Sequence, residues 1–305
     1  MRVLVMGGTG FIGRHVVARL VAAGHFVHVP TRHYQNGRDL LVFPTVNLFV
    51  ADLYDDAVLT RLIGECDAVI NLIGVLYGRS GRPYGEDFAK VHVELPGRVA
   101  RTCRSLGISR LIHISALGAD VNGPSAYSRS KAAGEAAIID AFSGYADGTY
   151  TIFRPSVVFG AEDHFMNLFA TLARWLPVIP MAGARARLQP IYVGDVAAVI
   201  ANALVNLKTA GQIYPLAGLQ AYRLGELVRL ASVWSGHPRH VVNLPMAVGR
   251  LQALFFECLP GQPLISRDNL DSLTVDNVSD DPIAPELGFV PQSLESIAPV
   301  YLARD

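Results

Sequence analysis

Cysteine is scarce in this sequence, and its three copies are far apart: Cys66, Cys103 and Cys258. They form no CxxC pair, and no histidine lies at the spacing of a metal site. A few scattered cysteines in an odd number are typical of a protein from a reducing compartment without a disulfide framework. We therefore expect no bound metal, and three thiols that pack as small apolar side chains.

An excess of either charge is also missing. Lys plus Arg and Asp plus Glu each number 26, so no overall field favours nucleic acid or an anionic membrane as a partner. No uncharged apolar run reaches the roughly 18 residues that a transmembrane helix needs. Because the first predicted strand begins at residue 2, we expect neither a signal nor a transit peptide. The composition predicts a cytoplasmic protein that is at most peripheral to a membrane.

Glycine, in contrast, is concentrated where an apolar N-terminal strand ends. Residues 2–6 lead into Gly7, Gly10 and Gly13, and an amphipathic helix is predicted over residues 12–23. Gly7 permits a tight turn, Gly10 lets the main chain approach a pyrophosphate, and Gly13 lets the helix pack closely on the strand. The phosphates would then lie at the positive end of the helix. This context predicts a dinucleotide site, with a structural glycine turn as the alternative.

Strand and helix patterns alternate six times in the first half of the chain. The predicted strands are 2–6, 26–31, 46–50, 68–72, 110–115 and 150–154. Helices are predicted between them, including long ones at 84–106 and 126–142. This alternation predicts an α/β fold, a doubly wound parallel sheet of the Rossmann type. Its ligand crevice is expected at the carboxyl ends of the strands.

The alternation weakens beyond Gly160. Helices are predicted at 163–176 and 193–206, a break at 176–180, strands at 188–192 and 213–216, and mostly helix in the last ninety residues. We expect residues 1–160 plus 189–221 to form the dinucleotide-binding domain. Residues 161–188 plus 222–305 are expected to form a small, mainly helical C-terminal lobe over the crevice, contacting substrate or partner.

The end of the second strand indicates which dinucleotide is preferred. A site for NAD(H) places an acidic residue there for the ribose hydroxyls, whereas NADP(H) calls for a cation. Between Gly13 and Asp39 there is no acidic residue, and Arg32 directly follows the strand. NADP(H) is therefore favoured, with Arg14 or Arg38 as further cations, and NAD(H) is the alternative. Arg32 could also be a solvated loop residue.

Other expected cofactor contacts lie at the ends of later strands. Asp52, beside Leu53, could accept a hydrogen bond from the adenine amine or cap the helix that starts near Asp55. Gly74 follows the fourth strand and Pro155 the sixth. The full set of expected cofactor-binding residues is Gly7, Thr9, Gly10, Phe11, Ile12, Gly13, Arg32, Asp52, Leu53, Gly74, Lys131, Pro155 and Val158.

A tyrosine and a lysine lie four residues apart at the start of the helix after strand five. Tyr127 and Lys131 therefore share one helix face. A lysine cation stabilises a nearby phenolate, so we expect the pKa of Tyr127 to fall from its usual value near 10. Lys131 could also hold the nicotinamide ribose. Ser115, at the end of strand five, could polarise a substrate carbonyl, which makes these three residues the candidate catalytic group.

With these motifs the chain resembles an extended or atypical short-chain dehydrogenase/reductase. The motifs that carry the resemblance are Gly7-x-x-Gly10-x-x-Gly13, Asp52-Leu53, Tyr127-x-x-x-Lys131, Arg154-Pro155 with Val158-Phe-Gly160, and Ile191-Tyr-Val-Gly-Asp195-Val196. The resemblance implies that the segment after Pro155 contacts the nicotinamide and that Asp195 is structural. A narrower resemblance is to the nucleotide-binding accessory subunit of respiratory complex I and its bacterial relatives. It is carried by Ser115-Ala-Leu-Gly-Ala-Asp120, by residues 159–167, and by Pro263-Leu-Ile-Ser-Arg-Asp268 with Asp276-Asn277.

Two departures from the enzyme pattern bear on turnover. Ala116 stands beside Ser115 where many extended reductases carry a second hydroxyl residue, and His92 occupies a helix position often held by asparagine. We expect His92 to be a helix residue satisfied by a neighbouring carbonyl. Asp163 and His164 could line the substrate pocket, or Asp163 could cap the next helix.

Residues 248–256 form the most apolar candidate surface helix. Val248, Leu251, Leu254 and Phe255 would share one face, for which core packing is expected over a membrane or partner contact. His237 and His240 are expected at the surface.

Two functions follow from these patterns. One is an NADP(H)-dependent reductase, epimerase or dehydratase acting on an unknown small molecule. The other is a non-catalytic nucleotide-binding structural or assembly factor near respiratory or quinone-synthesis machinery. Neither involves nucleic acid.

Overall fold

The computed structural model describes residues 1–79, 81–146, 148–281 and 283–303. Seven strands form its main sheet: β1 (Arg2–Met6), β2 (Phe26–Thr31), β3 (Val46–Val50), β4 (Ala68–Asn71), β5 (Arg110–Ile114), β6 (Thr149–Pro155) and β11 (Gln212–Leu216). Their order is β11-β6-β5-β4-β1-β2-β3, and every neighbouring pair is parallel. The predicted doubly wound sheet is confirmed. Its strand order reverses beside β1, which places the crevice there.

Helices cover both faces of this sheet. They are α1 (Phe11–Ala22), α2 (Asp56–Gly64), α3 (Glu86–Phe88), α4 (Leu95–Ser105), α5 (Ala126–Phe142) and α7 (Val193–Val205). Alternate residues of β1 point to opposite sides, as the twofold period of a strand requires. Val3 and Val5 belong to the core under α1 and α7, and Leu4 and Met6 to the core under α2, α4 and α5.

The helix predicted over residues 84–106 is interrupted. Between α3 and α4 lies a π-helical segment, Ala89–Glu94. Pro96, in the first turn of α4, has no amide hydrogen and cannot donate to the carbonyl of His92 four residues earlier. That carbonyl faces Gly134 of α5, where a Cβ atom would lie only 1.9 Å from the oxygen. The interruption therefore brings the His92 backbone directly against α5.

The remaining elements form the region around a third core. They include β7 (Val158–Phe159), α6 (Met166–Trp175), β8 (Val178–Ala182), β9 (Arg187–Leu188), β10 (Ile191–Tyr192), β12 (Tyr222–Arg223), α8 (Leu224–Trp234), β13 (His240–Leu244), α9 (Met246–Glu257), α10 (Arg267–Ser272) and α11 (Leu294–Leu302). Helices α6, α8 and α11 enclose this third core, whereas α9 and α10 pack with β8 around a separate, smaller cluster. Short 3₁₀ helices span Tyr34–Val42, Leu207–Thr209 and Pro285–Leu287.

Two predictions for this region are wrong in detail. The expected break at 176–180 is instead largely β8, which pairs in parallel with β13. The expected strand at 188–192 is two short strands in different pairs: β9 pairs with β12, and β10 pairs with β7.

Candidate functional site

The glycine loop between β1 and α1 has the close backbone packing that its sequence predicts. Gly7 has φ +81°, a left-handed conformation that favours glycine. Gly10 N–H donates to Gly7 O at 3.0 Å. A Cβ atom on Gly13 would lie 2.2 Å from Gly7 O, so a larger residue cannot fit without displacing the loop. Thr9, Phe11 and Ile12 lie in the loop and first turn of α1 and are partly exposed.

The cations around the end of β2 have different environments. Arg14 is fixed by hydrogen bonds to Thr9 O and Asn36 O and by an ion pair with Asp39 at 2.9 Å. It therefore ties the glycine loop to the following 3₁₀ helix. Arg32 is exposed directly after β2 and forms no salt bridge within the described part of the chain. Its guanidinium is therefore still available near the expected ribose position. Arg38 is also exposed and forms no salt bridge among the described residues, so it stays a candidate second cation.

Asp52 does not cap α2, so that alternative is wrong. Its Oδ1 accepts the Tyr54 N–H at 2.9 Å. Asp55 is the cap, and its Oδ1 accepts the N–H groups of Ala57 and Val58 at 2.8 and 3.2 Å. Asp52 is exposed beside the buried Leu53, so an adenine contact by Asp52 stays a prediction.

Lys131 lies buried between β5 and the loop after β4. Its Nζ donates to Ile114 O at 3.2 Å, and a Cβ atom on Gly74 would lie 3.2 Å from the same nitrogen. Burial lowers the pKa of Lys131 to about 8, although Glu135 opposes the shift. The ammonium is therefore still mainly protonated at neutral pH.

The expected fall in the pKa of Tyr127 does not occur in this structure. Burial of the phenol raises its pKa to about 12. Lys131 Nζ lies 5.9 Å from the centroid of the tyrosine ring. Desolvation therefore exceeds any stabilisation of the phenolate by the lysine, and Tyr127 keeps its proton at neutral pH.

Ser115 presents a buried hydroxyl. The residue is 3% exposed, and its Oγ has no hydrogen-bond partner among the described residues. An unsatisfied buried polar group costs about 1–3 kcal/mol, which a ligand that accepts the hydrogen bond would recover. Ala116, beside it, is buried and offers no second hydroxyl.

His92 is buried and fully hydrogen-bonded, but not by a carbonyl as expected. Its Nε2 accepts the Val75 N–H at 3.0 Å, so Nδ1 carries the proton and donates to Ser130 Oγ at 2.9 Å. Ser130 in turn donates to Tyr127 O at 2.8 Å. Burial and the Lys131 charge lower the pKa of His92 to about 2. A neutral His92 therefore links the loop after β4 to the start of α5.

Pro155 and Val158 lie where β6 turns towards β7. Pro155 O accepts the Leu117 N–H at 2.8 Å, which holds the loop after Ser115. Just before Pro155, the guanidinium of Arg154 binds the buried Glu135 carboxylate of α5 in a bidentate pair, with Nε to Oε1 at 2.9 Å. This ion pair attaches α5, which carries Tyr127 and Lys131, to β6.

Two residues distant in sequence complete the site. Asp268, in α10, accepts the N–H groups of Ala126 and Tyr127 at 2.6 and 3.1 Å, at the start of α5. Asn277 Nδ2 donates to Leu117 O at 2.7 Å, and its Oδ1 accepts the Ser156 hydroxyl at 2.6 Å. Both residues belong to motifs that carry the narrower resemblance described above. No pattern in the sequence indicated that they contact the start of α5 and the segments around Leu117 and Ser156.

Asp163 and Asp195 have structural partners. Asp163 Oδ1 accepts the N–H groups of Phe165 and Met166 at the start of α6, and Oδ2 accepts the Tyr301 hydroxyl at 2.7 Å. The capping alternative is therefore correct for Asp163. Asp195 accepts the Gln292 N–H at 2.8 Å, as the structural role implied by the resemblance requires.

Core packing is the wrong prediction for the apolar face of α9. Val248, Leu251, Leu254 and Phe255 are 48%, 68%, 41% and 62% exposed, respectively. The buried side of the helix is instead formed by Gly249 and Ala253. No helix in the described ranges is long and apolar enough to cross a membrane. In the same ranges no group of three or more metal-ligating side chains is found.

Comparison with known proteins agrees with this architecture. The model of the NAD dependent epimerase/dehydratase family matches residues 3–217. The rat NADH dehydrogenase [ubiquinone] 1 alpha subcomplex subunit 9, mitochondrial, is 32% identical over 95% of this chain and 77% of its own length. Ceramide reductase of Caulobacter vibrioides is 32% identical over 64% of this chain and 58% of its own length.

Solved structures share the fold. Pal from Bacillus thuringiensis superposes with a TM-score of 0.78 and 16% identity, over 99% of this chain and 98% of its own. Thermus thermophilus UDP-glucose 4-epimerase, solved with NAD, gives a TM-score of 0.67 and 24% identity, over 91% of this chain and 98% of its own. The glycine loop, Gly74, Ser115 and Lys131 lie at the carboxyl ends of β1, β4 and β5, where such a sheet binds its ligand.

Proposed function

The chain belongs to the NAD dependent epimerase/dehydratase family, and on this premise we propose that it is an NADP(H)-binding oxidoreductase of the reductase, epimerase or dehydratase type. The glycine loop would hold the pyrophosphate at the start of α1. Lys131 would hold the nicotinamide ribose. The nicotinamide, when bound, supplies or accepts a hydride.

The unpartnered Ser115 hydroxyl is the observation that carries this proposal. It is buried at the end of β5, beside Ile114, whose carbonyl binds Lys131. Ser115 would donate to a substrate carbonyl oxygen and orient it. Burial raises the pKa of Tyr127 to about 12 and keeps the phenol protonated at neutral pH. The phenol would be the proton donor to that oxygen, and the nearby Lys131 cation would have to lower this pKa for efficient transfer.

A panel of small carbonyl compounds, assayed by NADPH oxidation, tests the assignment. Tyr127→Phe removes the acid and should lower kcat by roughly 100- to 10,000-fold, with nucleotide affinity retained. Ser115→Ala should lower kcat/KM while the nucleotide still binds. If a substrate is found and Tyr127→Phe turns it over at the parent rate, the assigned chemistry is wrong.

The proposed preference for NADP(H) rests on Arg32. A charge-assisted hydrogen bond to the 2′-phosphate is worth about 1.5–3 kcal/mol, or roughly 10- to 100-fold in affinity. Titration with NADPH and NADH should give that ratio, and Arg32→Ala should abolish it with little change for NADH. Arg61→Ala, in α2 and also exposed, is the matched control. Equal affinities in the parent would disprove the preference.

A second proposed function is a nucleotide-binding structural or assembly factor, peripheral to the inner membrane and associated with respiratory complex I or quinone biosynthesis. The exposed apolar face of α9 favours it, since such faces commonly mark an interaction surface. The similarity to the rat subunit of NADH dehydrogenase supports a respiratory complex as the proposed partner.

Copurification from solubilised membranes tests this second function. Leu251→Ser with Phe255→Ser should release the protein from a respiratory complex, without affecting NADPH binding. Val290→Ser replaces a single exposed apolar side chain outside α9, 81% exposed, and should have no effect. A parent protein that never enters the membrane fraction and turns over a substrate rapidly would contradict it.

A further inference from the structure

Four arginine side chains line one groove outside the dinucleotide site. The groove has a volume of about 350 Å³ and lies between the start of α8, the turn before β9, and β13. Its cationic lining residues are Arg185, Arg223, Arg229 and Arg239. It includes no residue of the glycine loop and none of the candidate catalytic residues.

These four cations outnumber the carboxylates of the groove. Among the described residues, Glu226 is the only acidic one that lines the groove, and its Oε2 accepts the backbone N–H of Arg223 at 2.8 Å. Within the described ranges, none of the four guanidinium groups takes part in a salt bridge. The chain as a whole has equal numbers of acidic and basic residues. The groove is therefore a local excess of positive charge.

The hydrogen-bond donors available to a ligand in this groove are mainly the arginine side chains. The first two amides of α8 are already used, since Leu224 N–H donates to Ala186 O and Gly225 N–H to Ala184 O. The helix adds only the positive potential of its N-terminal end. Arg239 is held in place because its Nε donates to Ala173 O at 2.8 Å, which leaves its terminal nitrogens free to point elsewhere. The Arg239 guanidinium is thus already held in position without a ligand.

We propose that this groove binds a phosphate-bearing anion. Planar guanidinium groups bind phosphate oxygens in bidentate pairs, and several of them suit a group with more than one negative charge. The volume lies at the small end of ligand pockets, which span roughly 300–1,000 Å³. The phosphate could belong to a soluble metabolite or to a lipid headgroup, and both present the same oxygens to the arginines.

Calorimetric titration with inorganic pyrophosphate tests the site. The double variant Arg223→Gln with Arg229→Gln should weaken pyrophosphate binding at least tenfold, since about that factor is expected for each charge-assisted contact. NADPH affinity should not change. Arg61→Gln, an exposed arginine of α2, is the matched control and should bind pyrophosphate like the parent.

Vesicle sedimentation distinguishes the two sources of phosphate. Binding to phosphatidylcholine vesicles that contain phosphatidic acid, lost in the double variant and competed by pyrophosphate, would identify a headgroup. Variant-sensitive binding of pyrophosphate alone would identify a soluble anion. The proposal is wrong if the double variant binds pyrophosphate and the vesicles as the parent does. It is also wrong if NADPH displaces all of the bound pyrophosphate and the arginine substitutions do not change pyrophosphate binding.

Discussion

Replacement of Asp268 tests whether the C-terminal part of the chain stabilises the helix that carries Tyr127. The Asp268 carboxylate accepts two N–H groups at the start of α5, at 2.6 and 3.1 Å. A carboxylate at a helix N-terminus typically contributes 0.3–1 kcal/mol, and up to about 2 kcal/mol when partly buried. We therefore expect Asp268→Ala to destabilise the protein.

Two features of the site limit the size of this effect. Burial raises the pKa of Asp268, so desolvation of the charge offsets part of the gain from its hydrogen bonds. Ser125 remains as a cap, because its Oγ accepts the Ser128 N–H at 3.1 Å. We expect a loss of about 1–2 kcal/mol, which corresponds to a fall in Tm of roughly 2–6 °C.

Thermal unfolding and amide hydrogen exchange measure the two consequences. Exchange at Ala126 and Tyr127 should accelerate in Asp268→Ala, since their partner is lost. Asp271→Ala is the matched control on the same helix, where the carboxylate pairs with the exposed Arg250 at 2.6 Å. Such a surface pair is worth about 0–1 kcal/mol. Equal Tm values for the two variants, with unchanged exchange at α5, would refute the role assigned to Asp268.

Three further predictions follow from the buried groups. Arg154→Ala leaves the Glu135 carboxylate, 3% exposed, without its partner and should cost about 3 kcal/mol, whereas Arg154→Met combined with Glu135→Leu should recover most of that loss in denaturant unfolding. A single variant as stable as the parent would argue against the pair. Burial lowers the pKa of His92 to about 2 and of His113 to about 3, from 6.5. Below pH 6.5 only the unfolded state then binds these protons, so stability should fall as the pH drops towards 3, by up to about 1.4 kcal/mol per pH unit and histidine. The fall should be shallower in His113→Asn, and an equal slope would mean that native His113 is protonated. The expectation of three packed thiols is wrong for Cys258, which is exposed, whereas Cys66 and Cys103 are buried. Iodoacetamide should therefore label Cys258 alone in the folded protein, and labelling of a second thiol would contradict the burial of the other two.

Much of the fold could be predicted because its signals are local. The first three strands have the bounds expected from their apolar runs, and Ser125 caps α5 where that helix was predicted to begin. The helix interruption at residues 89–94 follows from Pro96, which is visible in the sequence. The contact of the His92 backbone with α5 depends on how closely α5 approaches, which the sequence does not show. Pro180 suggested a break, yet it is tolerated in β8 because that strand belongs to a two-stranded pair, whose outer edges need no amide donor.

The sequence by itself determined the glycine loop and the shared face of Tyr127 and Lys131, because both depend on spacing along a strand, turn or helix. Only the tertiary structure decided the environment of those residues. The rise in the pKa of Tyr127 comes from burial, and Asp268 reaches α5 across 141 residues of chain. The apolar face of α9 matches a core helix in sequence and is exposed only because no described element covers it. Desolvation and long-range contacts depend on which surfaces pack together in the folded chain, and the local spacing of residues does not predict that packing.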